Sequence, residues 1–171
     1  MKRDDLEHVL RAAGAITGVS TWVIVGSQAI LGAVPNAPTE LLVSQEVDLY
    51  APADEAASDL VDGSIGEKSP FHESFGYYAH GVGEETAILP TRWRERAVAI
   101  QTARTSGVIG ICPEPTDLAV SKLVAWREKD QEYVRVLVER GIVSVDQILA
   151  RLGEVDEETA IRIRTRIRSL V

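Results

Sequence analysis

Apolar and polar positions change rhythm several times along this chain, and each change marks an element. Leu6, Val9, Leu10 and Ala13 recur at helical spacing and predict an amphipathic helix over residues 3–14. Thr21–Val25 (TWVIV) is a short apolar run ending at Gly26, as expected of a buried strand. A helix is predicted from Ser27 to about Ala33, broken by Pro35, Asn36 and Pro38. Alternation over Val43–Tyr50 predicts a second strand, and Asp54–Val61 a helix. Residues 62–66 and 68–80, rich in glycine and aromatic side chains, read as loops. Strands are predicted again at 86–89 and 96–101, with a short one at 108–111. No internal repeat is visible.

After Pro113 the pattern becomes helical. Pro115 suits a first helical turn, where its missing N–H costs nothing. Ser144 with Gln147 fits a capping box ahead of Ile148, Leu149 and Leu152. The last segment opens with Asp156, Glu157 and Glu158 and closes with Arg162, Arg164, Arg166 and Arg168, matching a helix dipole. That arginine series reads as a solvated face, with an RNA-binding strip as the alternative. The fold class expected is α/β: a small mixed-sheet core over 1–112, then a helical C-terminal portion over 113–171 packed on it.

One stretch of the helical portion conflicts with its own pattern. As a continuous helix, 117–138 would align Val120, Leu123, Val124, Val134, Leu137 and Val138 in one stripe. Arg127 and Asp130 fall inside that stripe, whereas Lys122 and Lys129 share a different, polar face. Charges in an apolar stripe must pair or the helix must break there.

Composition narrows the class of protein. Of 171 residues, 45% are hydrophobic and 26% charged, enough to bury an ordinary core, which excludes a disordered chain. A single cysteine, Cys112, excludes a disulfide framework and a cysteine-rich zinc site, and is expected in the core. No apolar run approaches the roughly 20 residues of a membrane helix, and MKRDDLEHVL lacks a signal-peptide core. A cytoplasmic protein with no membrane contact is expected. The net charge of −8 disfavours a broad nucleic-acid-coating surface. Residues 1–112 hold 8 basic and 15 acidic side chains against 10 and 11 in 113–171, so any polyanion contact should be local and C-terminal.

The chemistry concentrates in VIVGSQAI (23–30) and SQEVDLY (44–50). Period two puts Glu46 and Asp48 on one face of the second strand, with Val47 and Leu49 facing the core. Adjacent carboxylates repel, and a divalent cation is their natural compensation. Gly26 permits close backbone approach, Ser27 offers a hydroxyl, and the N-terminus of the predicted helix offers N–H groups to a phosphate. A triphosphate bridged to a metal by the carboxylates fits this arrangement. His72, Tyr77, Tyr78 and His80 cluster nearby in sequence and could stack a base or donate to a phosphate. With Glu73 they form no zinc spacing.

Strand, Gly-Ser, helix, then two acidic residues on the next strand resembles the signature of the nucleotidyltransferase superfamily. PEPTDLAVSKLVAWREKDQEYV (113–134) is similar to the downstream block of the abortive-infection type IV toxin group. SPFHESFGYYAHGV (69–82) is similar to a compact bacterial nucleotidyltransferase family of uncharacterised activity. The resemblance implies a nucleotidyltransferase-like core. Glu46 and Asp48 would bind Mg²⁺ (or Mn²⁺) and be catalytic together with Lys122. Gly26, Ser27, Lys122, Arg127, Lys129 and Asp130 would bind the nucleoside triphosphate. It further implies transfer to an RNA such as tRNA, or to a protein. The chain would then act as the toxin of a toxin–antitoxin or phage-defence pair, with an antitoxin or other protein partner. Two departures favour an alternative, an inactive module of the same fold that binds a nucleotide or a protein. The first metal carboxylate is Glu rather than Asp, and 96–101 lacks the third carboxylate that superfamily enzymes bring from a later strand; Glu85 and Glu95 lie outside the predicted strands.

Overall fold

Short runs of β-branched and aromatic residues build a single mixed sheet in the computed structural model, which describes residues 1–170. Its strands are β1 (Thr21–Val25), β2 (Glu46–Tyr50), β3 (Tyr78–Gly81), β4 (Val98–Ile100) and β5 (Ile109–Cys112), in the order β3-β2-β1-β5-β4. β1 runs antiparallel to β2 and parallel to β5; β2 and β3 are parallel, and β4 and β5 antiparallel. Trp22, Val23, Ile24 and Val25 are all buried, which explains why β1 reads as a continuous apolar run rather than an alternating one.

The contacts divide the chain into two units: Met1–Thr86 with Val98–Cys112, and Ala87–Ala97 with the chain from Pro113 onward. In the first unit α1 (Arg3–Thr17) buries Leu6, Val9, Leu10 and Ala13 and runs one turn beyond the predicted end. Ser27–Ala29 form a 3₁₀ turn that leads into the short α2 (Ile30–Ala33). Asp54 caps α3 (Glu55–Ile65) by accepting from the Ala57 N–H, and Ile65 carries the helix past the predicted boundary because its side chain is buried. Cys112 is buried, and burial pushes its thiol up to about 12.

Five predicted elements need correction. Residues 62–65 are the last turn of α3 and not a loop. The segment 68–80 is not a loop: it contains α4 (Pro70–Phe75), capped by Ser69, and the start of β3. β2 begins at Glu46 rather than Val43, which is 80% exposed. No strand forms at 86–89; Glu84–Thr86 is a 3₁₀ turn. Arg96 belongs to α5 (Trp93–Arg96), leaving β4 only three residues.

In the second unit, α5 is joined by α6 (Pro115–Ala125), α7 (Glu128–Glu139), α8 (Val145–Ala150) and α9 (Glu157–Leu170). Ser144 and Gln147 form the expected capping box. Leu118, Leu123, Leu137, Ile148 and Ile163 supply its core. A partly exposed ion network around the buried Asp117 ties 87–97 to the helices: Asp117 accepts from Arg96 at 2.9 and 3.0 Å and from Arg151 at 3.2 Å, and Arg96 also donates to Glu154 at 2.8 Å. The stretch 117–138 is two helices, not one. Trp126 adopts a left-handed conformation (φ 58°), and Arg166 covers the exposed end of α6 by donating to the Leu123 and Val124 carbonyls at 2.6 and 2.9 Å. Its guanidinium lies 5.1 Å from the Trp126 ring centre.

Candidate metal and nucleotide site

Sheet register assembles the site from two neighbouring strands. β2 and β3 are parallel, with Glu46 opposite Tyr78 and Asp48 opposite His80. Period two then gives a two-by-two array of polar side chains on one face, while Val47, Leu49 and Ala79 are buried. The Tyr78 hydroxyl donates to Glu46 Oε2 at 3.0 Å. His80 Nδ1 lies 3.0 Å from Asp48 Oδ1 and 3.8 Å from Glu46 Oε1.

The end of β1 closes the array from the other side. Val25 pairs with Asp48, so the chain turns at Gly26 directly beside that carboxylate. Gly26 has φ 68° and ψ −161°, a region open only to glycine, and a Cβ there would overlap Asp48 Oδ2. Ser27, half-buried, opens the turn that follows. Strand period and the Gly-Ser turn therefore bring Gly26, Glu46 and Asp48 together as the sequence pattern predicts.

The electrostatics reflect crowding. Burial, reinforced by the adjacent Glu46, raises Asp48 to about 6 despite the opposing bond to His80. Burial alone would lower His80, but its bond to Asp48 and the charges of Asp48, Glu46 and Asp62 together raise it. Burial, followed by the bond to Glu46, raises Tyr78 to about 12, so it remains a donor. The three donor atoms of Glu46, Asp48 and His80 lie within 4.8 Å of one another, and no other such group of three metal-binding side chains occurs among the described residues. Two carboxylate oxygens and an imidazole nitrogen at that separation fit a divalent cation.

His80 is the residue that sequence reasoning failed to place. The glycines and aromatics around it read as a loop, and only its pairing with β2 aims it at the carboxylates. The usable signal is Tyr78-Ala79-His80, which repeats the polar-apolar-polar pattern of Glu46-Val47-Asp48. The rest of the aromatic cluster packs: the His72 and Tyr78 rings meet at a 46° tilt with centres 4.6 Å apart, and Tyr77 bonds to His8 at 2.8 Å.

The basic block lies in the second unit. Lys122 is not on a solvated face: its side chain is 6% exposed, and its Nζ donates to Asp130 Oδ1 at 3.0 Å and sits 5.1 Å from the Tyr133 ring centre. Asp130, fully buried, also accepts from the Arg127 backbone N–H at 3.2 Å and from Arg127 Nε at 2.7 Å. Burial pulls the Lys122 ammonium below its ordinary range, outweighing the Asp130 charge. Burial would raise Asp130, but Arg127 and Lys122 together hold it low. Arg127 and Lys129 are exposed.

A mixed sheet whose first strand runs through Gly-Ser into a helical turn, beside two carboxylates on the next strand, defines a small nucleotidyltransferase-like α/β fold with C-terminal helices. A family model described as "Nucleotidyltransferase of unknown function (DUF6036)" matches residues 4–170, and the chain belongs to that family. No curated protein and no solved structure matches it. Among the described residues, no helix is long and apolar enough to cross a membrane.

Proposed function

We propose that this chain transfers a nucleotidyl group from a nucleoside triphosphate to an acceptor hydroxyl on an RNA, such as tRNA, or on a protein. The observation that carries this reading is the apposition of Gly26 to Asp48, with Glu46 on the same face. Glu46 and Asp48 would hold Mg²⁺ or Mn²⁺, which when bound neutralises developing phosphate charge and favours the alkoxide form of the acceptor. The Gly26 backbone and Ser27 hydroxyl would hold the triphosphate at the turn. The acceptor oxygen bonds to the α-phosphorus, the α–β bridge breaks, pyrophosphate leaves with the bond's electron pair, and the hydroxyl proton passes to solvent.

The third position favours a second reading. The third donor beside Glu46 and Asp48 is the His80 imidazole and not a carboxylate, so a module that binds a nucleotide or a protein partner without catalysis is the alternative. One experiment tests both: each α-³²P nucleoside triphosphate is incubated with Mg²⁺ or Mn²⁺ and total RNA, or with the protein itself as acceptor, and nucleotide binding is titrated in parallel. Label on an acceptor, lost in Glu46→Gln and Asp48→Asn, supports transfer. Binding without label on any acceptor supports the module, and neither binding nor label overturns both. Arg127→Ala and Lys129→Ala enter the same titration, as does Lys122→Met, to test the nucleotide contacts that the resemblance gives the Lys122, Arg127, Lys129 and Asp130 block. A toxin role, with an antitoxin as partner, predicts growth arrest on expression that Asp48→Asn relieves.

A further inference from the structure

We infer that His80 is a metal ligand and that Glu46, Asp48 and His80 form one mixed oxygen–nitrogen centre selective for a first-row transition ion, probed as Mn²⁺, over Mg²⁺. The inference rests on the reading of Glu46 and Asp48 as cation ligands, not on transfer. Each carboxylate has one oxygen restrained and the other turned toward the imidazole. Asp48 Oδ2 abuts Gly26, leaving Oδ1 at 3.0 Å from His80 Nδ1. Glu46 Oε2 accepts from Tyr78, and Oε1 lies 3.8 Å from the same nitrogen. Adjacent donors around an ion with bonds of about 2.1 Å stand about 3 Å apart; one pair here is at 3.0 Å, another at 3.8 Å, and all three atoms lie within 4.8 Å, so small side-chain movements bring them onto one ion.

Register makes this arrangement a property of the sheet. His80 sits opposite Asp48 in a parallel ladder, and α3 holds β3 from behind: a Cβ at Gly81 would overlap the Ser58 carbonyl oxygen. The imidazole is 49% exposed, so it can meet an ion that still carries water or phosphate oxygens. Mg²⁺ is a hard ion that keeps oxygen ligands and sheds water reluctantly, gaining little from a nitrogen. Co²⁺ and Zn²⁺ accept imidazole readily, and Mn²⁺, first in the transition-metal affinity order, takes it more readily than Mg²⁺ does. A third carboxylate would serve Mg²⁺ better; the histidine shifts the preference.

The test uses the full chain, stripped with chelator and titrated with Mn²⁺, followed by loss of the free-ion EPR signal. Electron spin-echo modulation then reads ¹⁴N coupling on bound Mn²⁺, and Mg²⁺ competes for the site. We expect ¹⁴N coupling in the wild type and Mn²⁺ binding about tenfold or more tighter than Mg²⁺. His80→Gln should lose the coupling and weaken Mn²⁺ about tenfold with little change for Mg²⁺, while its metal-free melting temperature stays near the wild-type value. His80→Asp should narrow the Mn²⁺ to Mg²⁺ ratio. Mn²⁺ bound without ¹⁴N coupling, coupling that survives in His80→Gln, or equal affinity for the two ions overturns the histidine assignment. If Asp48→Asn still abolishes binding in those cases, the carboxylate reading survives. A wild type that binds neither ion overturns both.

Discussion

Removing Asp130 should damage the second unit more than removing either cation that holds it. Asp130 is fully buried and accepts four hydrogen bonds, from Lys122 Nζ, the Arg127 backbone N–H, Arg127 Nε and Arg127 Nη2. Asp130→Ala leaves the Lys122 ammonium 6% exposed with its anion gone. Stranding one member of a buried pair costs about 3–5 kcal/mol. For a chain of this length each kcal/mol moves the melting temperature by about 2–4 °C, so a fall on the order of 10 °C is expected. Arg127→Ala should cost only about 1 kcal/mol, because its side chain is 60% exposed and Lys122 still compensates Asp130. Replacing both buried partners, Lys122→Met with Asp130→Leu, should restore most of the loss by exchanging an ion pair for apolar volume. The assay is thermal and urea unfolding followed by circular dichroism at neutral pH. Asp130→Ala within 1 kcal/mol of the wild type, or a double variant no more stable than the single one, would refute the reasoning.

Three further outcomes are expected. With Asp48 raised from 3.8 to about 6, the folded state binds more protons than the unfolded one, so in chelator the wild type loses stability as pH rises from about 4 through 6. The ceiling is about 3 kcal/mol, and losing the His80 bond returns about 1, so Asp48→Asn should stabilise by about 1–2 kcal/mol at pH 7.5 and by nothing at pH 4; melts at both pH values check the sign. Gly26→Ala should cost about 2–3 kcal/mol and weaken Mn²⁺ binding, since its Cβ would displace Asp48; a stable variant with wild-type affinity would contradict the geometry. Ser144→Ala should cost about 1 kcal/mol through loss of the α8 cap, measured by urea unfolding.

Local chemistry determined much of this protein before any tertiary contact is considered. TWVIV ending at Gly26 specifies β1 and its turn, and strand period alone puts Glu46 and Asp48 on one face. Ser144 with Gln147 specifies a helix start through bonds that span three residues. The charges of Arg127 and Asp130 inside an apolar stripe already signal a pair or a break, and the structure contains both. These features depend on neighbours within one turn or one strand, so the sequence carries them directly.

The tertiary structure decided the rest. β3 is the four residues Tyr78-Ala79-His80-Gly81, of which only Tyr78 favours a strand; pairing with β2, about 32 residues earlier, makes it one and turns His80 toward Asp48. Residues 86–89 have the composition of a strand but no partner, and without a ladder their backbone takes an irregular path. Lys122 lies on what reads as a polar helix face, yet Tyr133 and Asp130 cover it once Trp126 turns the chain back. For His80 the deciding contact joins residues 32 apart, and such a contact leaves no periodicity in the segment that makes it; for Lys122 it crosses a chain reversal that helical spacing does not register.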